Sequence, residues 1–219
     1  MNLLVWQLID SSFPSGGFAH SAGLEACVQH GHVADSESAR AFARHALAQC
    51  GRSALPLVTA AHHASDSLKE LDSLSDVFLW NPVANRASRA QGRALLTSVS
   101  RSFHDSDVGA LEAQVRVGGM AGHHAPLFGR IFSMLDIGIE DTQRAFLFIA
   151  ARGVSSAAVR LGIMGAYEAQ TMQRELATHI STVMRDCGAL NPHDIAQTAP
   201  LIDLFQATHD RLYSRLFQS

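Results

Sequence analysis

The feature that most limits what this chain can fold into is a helical spacing of apolar residues that runs almost end to end. Ala39, Phe42, Ala43, Ala46, Leu47 and Cys50 fall at i, i+3, i+4, i+7, i+8 and i+11. That spacing gives one amphipathic face, with Ser36 placed to cap its start. Leu68, Leu71, Ser75, Phe78 and Leu79 mark a second helix that Asn81-Pro82 would end. The same dipeptide starts the next one, with Asn81 as cap and Pro82 in the first turn, running through Ala87, Ala90, Ala94 and Leu95 towards Phe103. Further helices are expected over roughly 107–117, 125–136, 141–152 and 155–184, and a last one from Pro200 carrying Leu201, Leu204, Phe205, Leu212 and Leu216. No alternating strand pattern competes with these. The expectation is an all-α, single-domain bundle of about ten helices spanning 1–219, with 200–219 a C-terminal helix set apart by the Cys187–Ala199 break.

Within 155–184, Ala158, Gly162, Gly165 and Ala169 recur at i, i+4, i+7 and i+11. Read as one helix, they form a ridge of small side chains suited to close helix–helix approach in a buried position.

Composition removes several function classes. Asp, Glu, Lys and Arg make up 17% of the 219 residues, against about 25% in an average soluble domain, and the formal net charge is −3. A charge-driven disordered chain and a nucleic-acid binder are both poor fits. The 17 basic residues are sixteen arginines and Lys69 alone, which has no glycine-rich turn before it. A Walker A nucleotide site is therefore excluded. Cys27, Cys50 and Cys187 form no CxxC pair and read as reduced thiols. The N-terminus lacks a basic, then apolar, signal pattern, and no 18-residue uncharged apolar run exists, so a cytoplasmic protein is expected.

Twelve histidines, including His30-Gly31-His32, His62-His63 and His123-His124, raise the question of a metal site. Adjacent residues on a helix diverge by about 100°, so neither pair can easily chelate one ion. There is no HExxH, no cysteine cluster and no GxSxG elbow. Pro14-Ser15-Gly16-Gly17 could cradle an anion, but without a neighbouring cation a tight packing turn is the better reading. Residue chemistry alone stops at a helical protein without catalytic machinery.

Five segments together carry a resemblance. They are Phe13–Glu25 (FPSGGFAHSAGLE), Arg86–Gly92 (RASRAQG), His123–Gly129 (HHAPLFG), Ala157–Gly162 (AAVRLG) followed by Gln170, and His209–Ser219 (HDRLYSRLFQS). In this order they resemble the F-type urease accessory family, UreF, over essentially the whole chain. The resemblance implies an all-α fold, no catalytic activity, and an adaptor role in urease maturation. The implied partners are a β-rich D- or H-type accessory protein, a nickel-carrying G-type GTPase and apo-urease. No cofactor would be held stably, nickel being handled by the complex. By residue, it implies that Pro14, Phe18, Glu25, Arg160 and Gln170 face the GTPase. Arg144 and Phe148 would pack a homodimer, although Phe148 stands where the family often has Tyr. Leu212, Tyr213, Arg215, Leu216 and Phe217 would dock the β-rich partner. Two alternatives stand beside it: a metal-dependent helical enzyme built on the paired histidines, and a generic helical scaffold. Under the adaptor reading, the sparse surface charge marks buried interfaces, and the isolated subunit should self-associate.

Overall fold

A computed structural model describes residues 3–219; Met1 and Asn2, part of the expected 1–219 domain, lie outside the described residues. The helices are α1 (Leu3–Ile9), α2 (Leu24–Gln29), α3 (Ser36–Ser53), α4 (Leu55–His63), α5 (Leu68–Phe78) and α6 (Pro82–Phe103). They continue as α7 (Ser106–Arg116), α8 (His124–Met134), α9 (Ile139–Arg160), α10 (Ala166–Cys187) and α11 (Pro200–Ala207). No β-strand occurs among the described residues, and the fold is a single all-α domain.

The centre of the bundle is α8, which lies along α4 and α6, while α3 packs against the α9–α10 hairpin. Phe128, Ile131, Phe132 and Leu147 are fully buried there, with the Phe128 and Phe132 rings stacked 4.0 Å apart. Gly129 sets the α4–α8 distance, because a Cβ at that position would run into the Val58 carbonyl. Close approach of two backbones of this kind requires glycine.

Local signals explain most boundaries. Asn81 accepts from the backbone N–H groups of Val83 and Ala84, and Pro82 opens α6, as its sequence suggests. α3 starts one residue from the expected cap: Asp35, not Ser36, accepts from the Ser38 backbone N–H, and the Ser38 hydroxyl completes a capping box.

Two further expectations are corrected. The 155–184 helix is two helices. α9 runs on to Arg160, Gly162 adopts φ 73° and the chain reverses before α10. Ile163 N–H bonds to the Ala158 carbonyl and Gly162 N–H to that of Val159, a Schellman stop that only a left-handed residue can make comfortably. Ala158, Gly162, Gly165 and Ala169 therefore straddle a hairpin and are not one ridge. The second correction is the C-terminal helix, which ends at Ala207 instead of reaching 219; after a 3-10 turn at His209–Arg211 the remainder is irregular.

A junction between the N-terminal turn and the C-terminal segment

Residues 13–25 form a turn laid on α6. The Ser98 hydroxyl donates to the Pro14 carbonyl at 2.7 Å, and one 3-10 turn at Gly17–Ala19 lifts Phe18 into solvent, where it is 67% exposed. Just beyond, α2 places Glu25 facing inward.

The C-terminal segment folds back onto this turn through main-chain bonds. Glu25 is buried, and its carboxylate accepts from His209 Nε2 (2.9 Å), Leu216 N (2.6 Å) and Phe217 N (3.2 Å). Gln218 N donates to the Ala19 carbonyl at 2.8 Å, and Ser21 donates through both its N–H and its hydroxyl to the Ser219 carbonyl. Gln29 Nε2 donates to the Ser214 carbonyl, and the His20 ring meets the Ser219 hydroxyl at 2.6 Å. A carboxylate taken from water destabilises a fold unless its lone pairs are filled. Here the segment's own amides and His209 fill them.

Arg160, at the end of α9, completes the contact. Its guanidinium carbon sits 4.0 Å from the ring centres of both Phe18 and Phe217, and Nη1 donates to the Phe18 carbonyl. A planar cation between two rings suits arginine and not lysine, with each face worth about 0.5–2 kcal/mol. Phe217 is buried under it, while Tyr213 and Leu216 stay outside. Asp210 receives Arg86 at 2.8 Å and Arg215 at 3.4 Å.

The remaining motifs form a second polar joint beneath the first. His123 is fully buried and uses both ring nitrogens, one on Ser88 Oγ (3.1 Å) and one on Asp76 (3.0 Å). Hydrogen bonds from Arg89, Asn85 and His123 hold the Asp76 carboxyl well below the usual range. Burial lowers His123, with the Asp76 hydrogen bond opposing it. Asp72 accepts from three successive backbone N–H groups, of Ala121, Gly122 and His123. Next to them, burial foremost and His20 second bring His124 down to about 4.

The chain matches the family model described as UreF over residues 33–177, from just before α3 to the middle of α10. It is 37% identical to the urease accessory protein F of Oryza sativa subsp. indica, over 97% of this chain and 83% of that protein. The corresponding figures for the Arabidopsis thaliana protein of that name are 37%, 98% and 91%. The chain belongs to the UreF family. An Arthrobacter urease accessory protein UreF is 28% identical over 99% of this chain. The turn at 13–25 and the segment from His209 onward lie outside the stretch matched by the UreF model, whereas the alignment to the Oryza protein covers 97% of this chain.

Within this UreF-family chain the expected site residues do not form one patch of like character. Pro14, Phe18 and Gln170 are exposed and Arg160 is half-buried between its rings. Glu25 faces the interior. Of the docking segment, Tyr213, Arg215 and Leu216 are exposed, Leu212 is half-buried and Phe217 is buried. Arg144 is exposed and pairs with Glu140 at 2.8 Å, while Phe148 is half-buried with Arg152 5.9 Å from its ring centre. These two lie 12 to 16 residues before Arg160 on α9, or about 18–24 Å along its axis. They form a face separate from the junction.

Sequence reasoning missed Ser21, Gln29, Arg86 and His209 as members of the junction, because their partners lie more than a hundred residues away in the chain. The histidine pairs are scattered. His62 bonds the Ile137 carbonyl, His63 is exposed, and His30 and His32 both lean on Phe205. Among the described residues no group of three or more His, Cys, Asp or Glu is placed to hold a metal ion. No helix among them is long and apolar enough to cross a membrane.

Proposed function

We propose that this chain serves urease maturation in the cytoplasm as a non-enzymatic adaptor, joining a β-rich accessory protein to a nickel-carrying GTPase and presenting both to apo-urease. Nickel is the cargo of that assembly, and the chain itself keeps no cofactor. Family membership supports the coarse role, since the relatives are named urease accessory proteins. The single observation that favours an adaptor is the Phe18–Arg160–Phe217 stack. It ties the segment expected to face the GTPase to the segment expected to face the accessory partner, so their surfaces are contiguous.

On this reading Pro14, Phe18, Gln170 and the outer edge of Arg160 contact the GTPase, and Leu212, Tyr213, Arg215 and Leu216 contact the accessory protein. Glu25 and Phe217, being buried, act by holding the segment in place. Arg144 and Phe148 serve a homodimer on the separate α9 face.

Co-expression with the cognate accessory protein and GTPase, followed by affinity capture, should yield a complex containing all three chains. The double variant Phe18→Ala/Tyr213→Ala should lose it while keeping its helical spectrum. Urease activation in a deletion strain should fall in parallel. A deletion strain with undiminished urease activity, and no three-chain complex, would overturn the reading.

A further inference from the structure

A cleft of about 570 Å³ opens at the other end of α9, about 30 Å along the helix axis from Arg160. Its walls are the end of α4, the first turn of α9 and the stretch 188–192 that follows α10. Gln143 lines it and is only 8% exposed. The Gln143 Nε2 donates to Thr59 Oγ1 at 2.9 Å and to the Gly188 carbonyl at 2.8 Å. These bonds use both hydrogens and fix which way the amide points. A flipped amide would set Oε1 against the Gly188 carbonyl, acceptor to acceptor. As placed, Oε1 has no partner among the described residues. Unlike the Nδ1 of His62, it is not sealed from solvent, so it opens on the cleft. An acceptor left open on a buried side chain calls for a donor.

The surroundings say what kind of donor. Glu140 stands one turn earlier on the same face of α9, and the lining holds neither lysine nor arginine. His63, on the opposite wall, is exposed. Both α4 and α10 end here, and their last carbonyls add partial negative charge. The N-terminus of α9 opposes them, but Glu140 and Asp141 in its first turn offset it. Arg144 bonds one Glu140 oxygen in a largely exposed pair, an interaction of little strength that leaves the other oxygen open.

We propose that this cleft binds an alkylguanidinium, its donors on Gln143 Oε1 and the Glu140 carboxylate and its stem along Ala60, Ile139 and Leu190. A planar fork can meet two acceptors set side by side, and it sheds water more readily than an ammonium. The group arrives either on a free small molecule or on an arginine side chain of another protein, and the chemistry at the cleft is the same. The site does not depend on the adaptor reading.

Heteronuclear NMR of the full chain tests it, with butylguanidinium as probe and neutral butylurea as its isostere. Butylguanidinium should shift the Gln143 side-chain amide and the backbone amides of Gly188 and Ala189, with a Kd of about 1 mM or tighter. Butylurea should bind about tenfold more weakly. Glu140→Gln, at an exposed position, should weaken butylguanidinium about threefold. Ala64→Phe, also at an exposed position, should fill the cleft and abolish binding while the amide spectrum elsewhere is kept. A blocked Gly-Arg-Gly peptide separates the two sources. Shifts of the same amides by the peptide support a protein side chain as the ligand, and shifts by butylguanidinium alone support a free cation. No shift with either probe, shifts scattered away from the cleft, equal binding of butylurea, or binding undiminished in Ala64→Phe would each overturn the proposal.

Discussion

The bundle around α8 and the junction around Glu25 keep their shape by opposite means. In the bundle, Phe128, Ile131, Phe132, Leu147 and Met172 lose nearly all their exposure to one another, and the helices cannot move apart singly. Each fully buried side chain of that size contributes about 1.5–3 kcal/mol, and the sum is shared over the domain. In the junction, one buried carboxylate, one buried histidine and one stacked arginine hold an irregular segment whose neighbours are turns. Its bonds are directional and few, and of the segment's apolar side chains only Phe217 packs into the core. The difference teaches where damage should spread: globally from the first region, locally from the second.

The sharpest break of that comparison lies in the bundle. Gly129→Ala puts a methyl group into the Val58 carbonyl, and neither helix can yield without shifting its backbone. Overpacking of this type costs about 3 kcal/mol, or roughly 6–12 °C in melting temperature for a chain of this size. Calorimetry should show one cooperative transition moved down as a whole. A loss below about 1 kcal/mol would mean that α4 and α8 are not seated as closely as described.

Glu25→Gln should behave differently. Leaving a buried donor without its charged acceptor costs about 1–3 kcal/mol or more when it must stay buried, but here the partners can leave with the segment. The global melt should therefore fall by no more than about 2 kcal/mol. Trypsin cleavage after Arg211 and Arg215, both exposed, should accelerate by at least about tenfold. If calorimetry showed the whole cost globally, with cleavage unchanged, the contrast between the regions would fail.

How much of each region is legible in the sequence follows from the range of the signals. Asn81-Pro82 announces both a stop and a start, because a cap and a first-turn proline act within four residues. The bundle is partly of this kind: α3, α5, α6, α7 and α8 fall close to where periodicity puts them, while α4 carried no such signal. The hairpin at 161–165 escaped because Ala158, Gly162, Gly165 and Ala169 keep a helical spacing across it. Nothing in that spacing shows that Gly162 is left-handed. Leu212 and Leu216 mislead in the same way, being four apart in a segment that is not helical. Glu25 lay beyond local reasoning altogether. Its donors are a ring and two amides 184 to 192 residues later in the chain, and an acidic residue at a helix start suggests solvent and the helix dipole, not burial.

Arg160 separates charge from shape within the junction. Arg160→Lys keeps the charge but loses the flat surface between Phe18 and Phe217. Arg160→Ala loses both. Losses of about 0.5–1 kcal/mol for lysine and about 1–2 kcal/mol for alanine are expected in the local stability of the Phe217 amide. Equal effects of the two would show that charge alone matters, and no effect would remove the stack from the account.

The smallest effect, and the one of opposite sign, belongs to Asp203 in α11, which connects the two regions. Its side chain is 9% exposed and has one long bond, from Gln49 Nε2 at 3.5 Å, while its carbonyl receives Asn81 Nδ2. Burial raises the Asp203 carboxyl above its ordinary value. The folded chain therefore binds the proton more tightly than the unfolded one. Stability falls as pH rises from the unfolded value through the folded one, and the cost of the ionised form is fully present at pH 7. Asp203→Asn keeps an acceptor for Gln49 and removes the buried charge. It should raise stability at pH 7 by up to about 1 kcal/mol. The gain should vanish by pH 3, where the wild-type carboxyl is itself protonated. Denaturant melts of both proteins at the two pH values would show this. A variant less stable than the wild type at pH 7 would mean that the charge is stabilised by α11 or its neighbours more than burial opposes it, and that α11 is held to the bundle by electrostatics, as the C-terminal segment is.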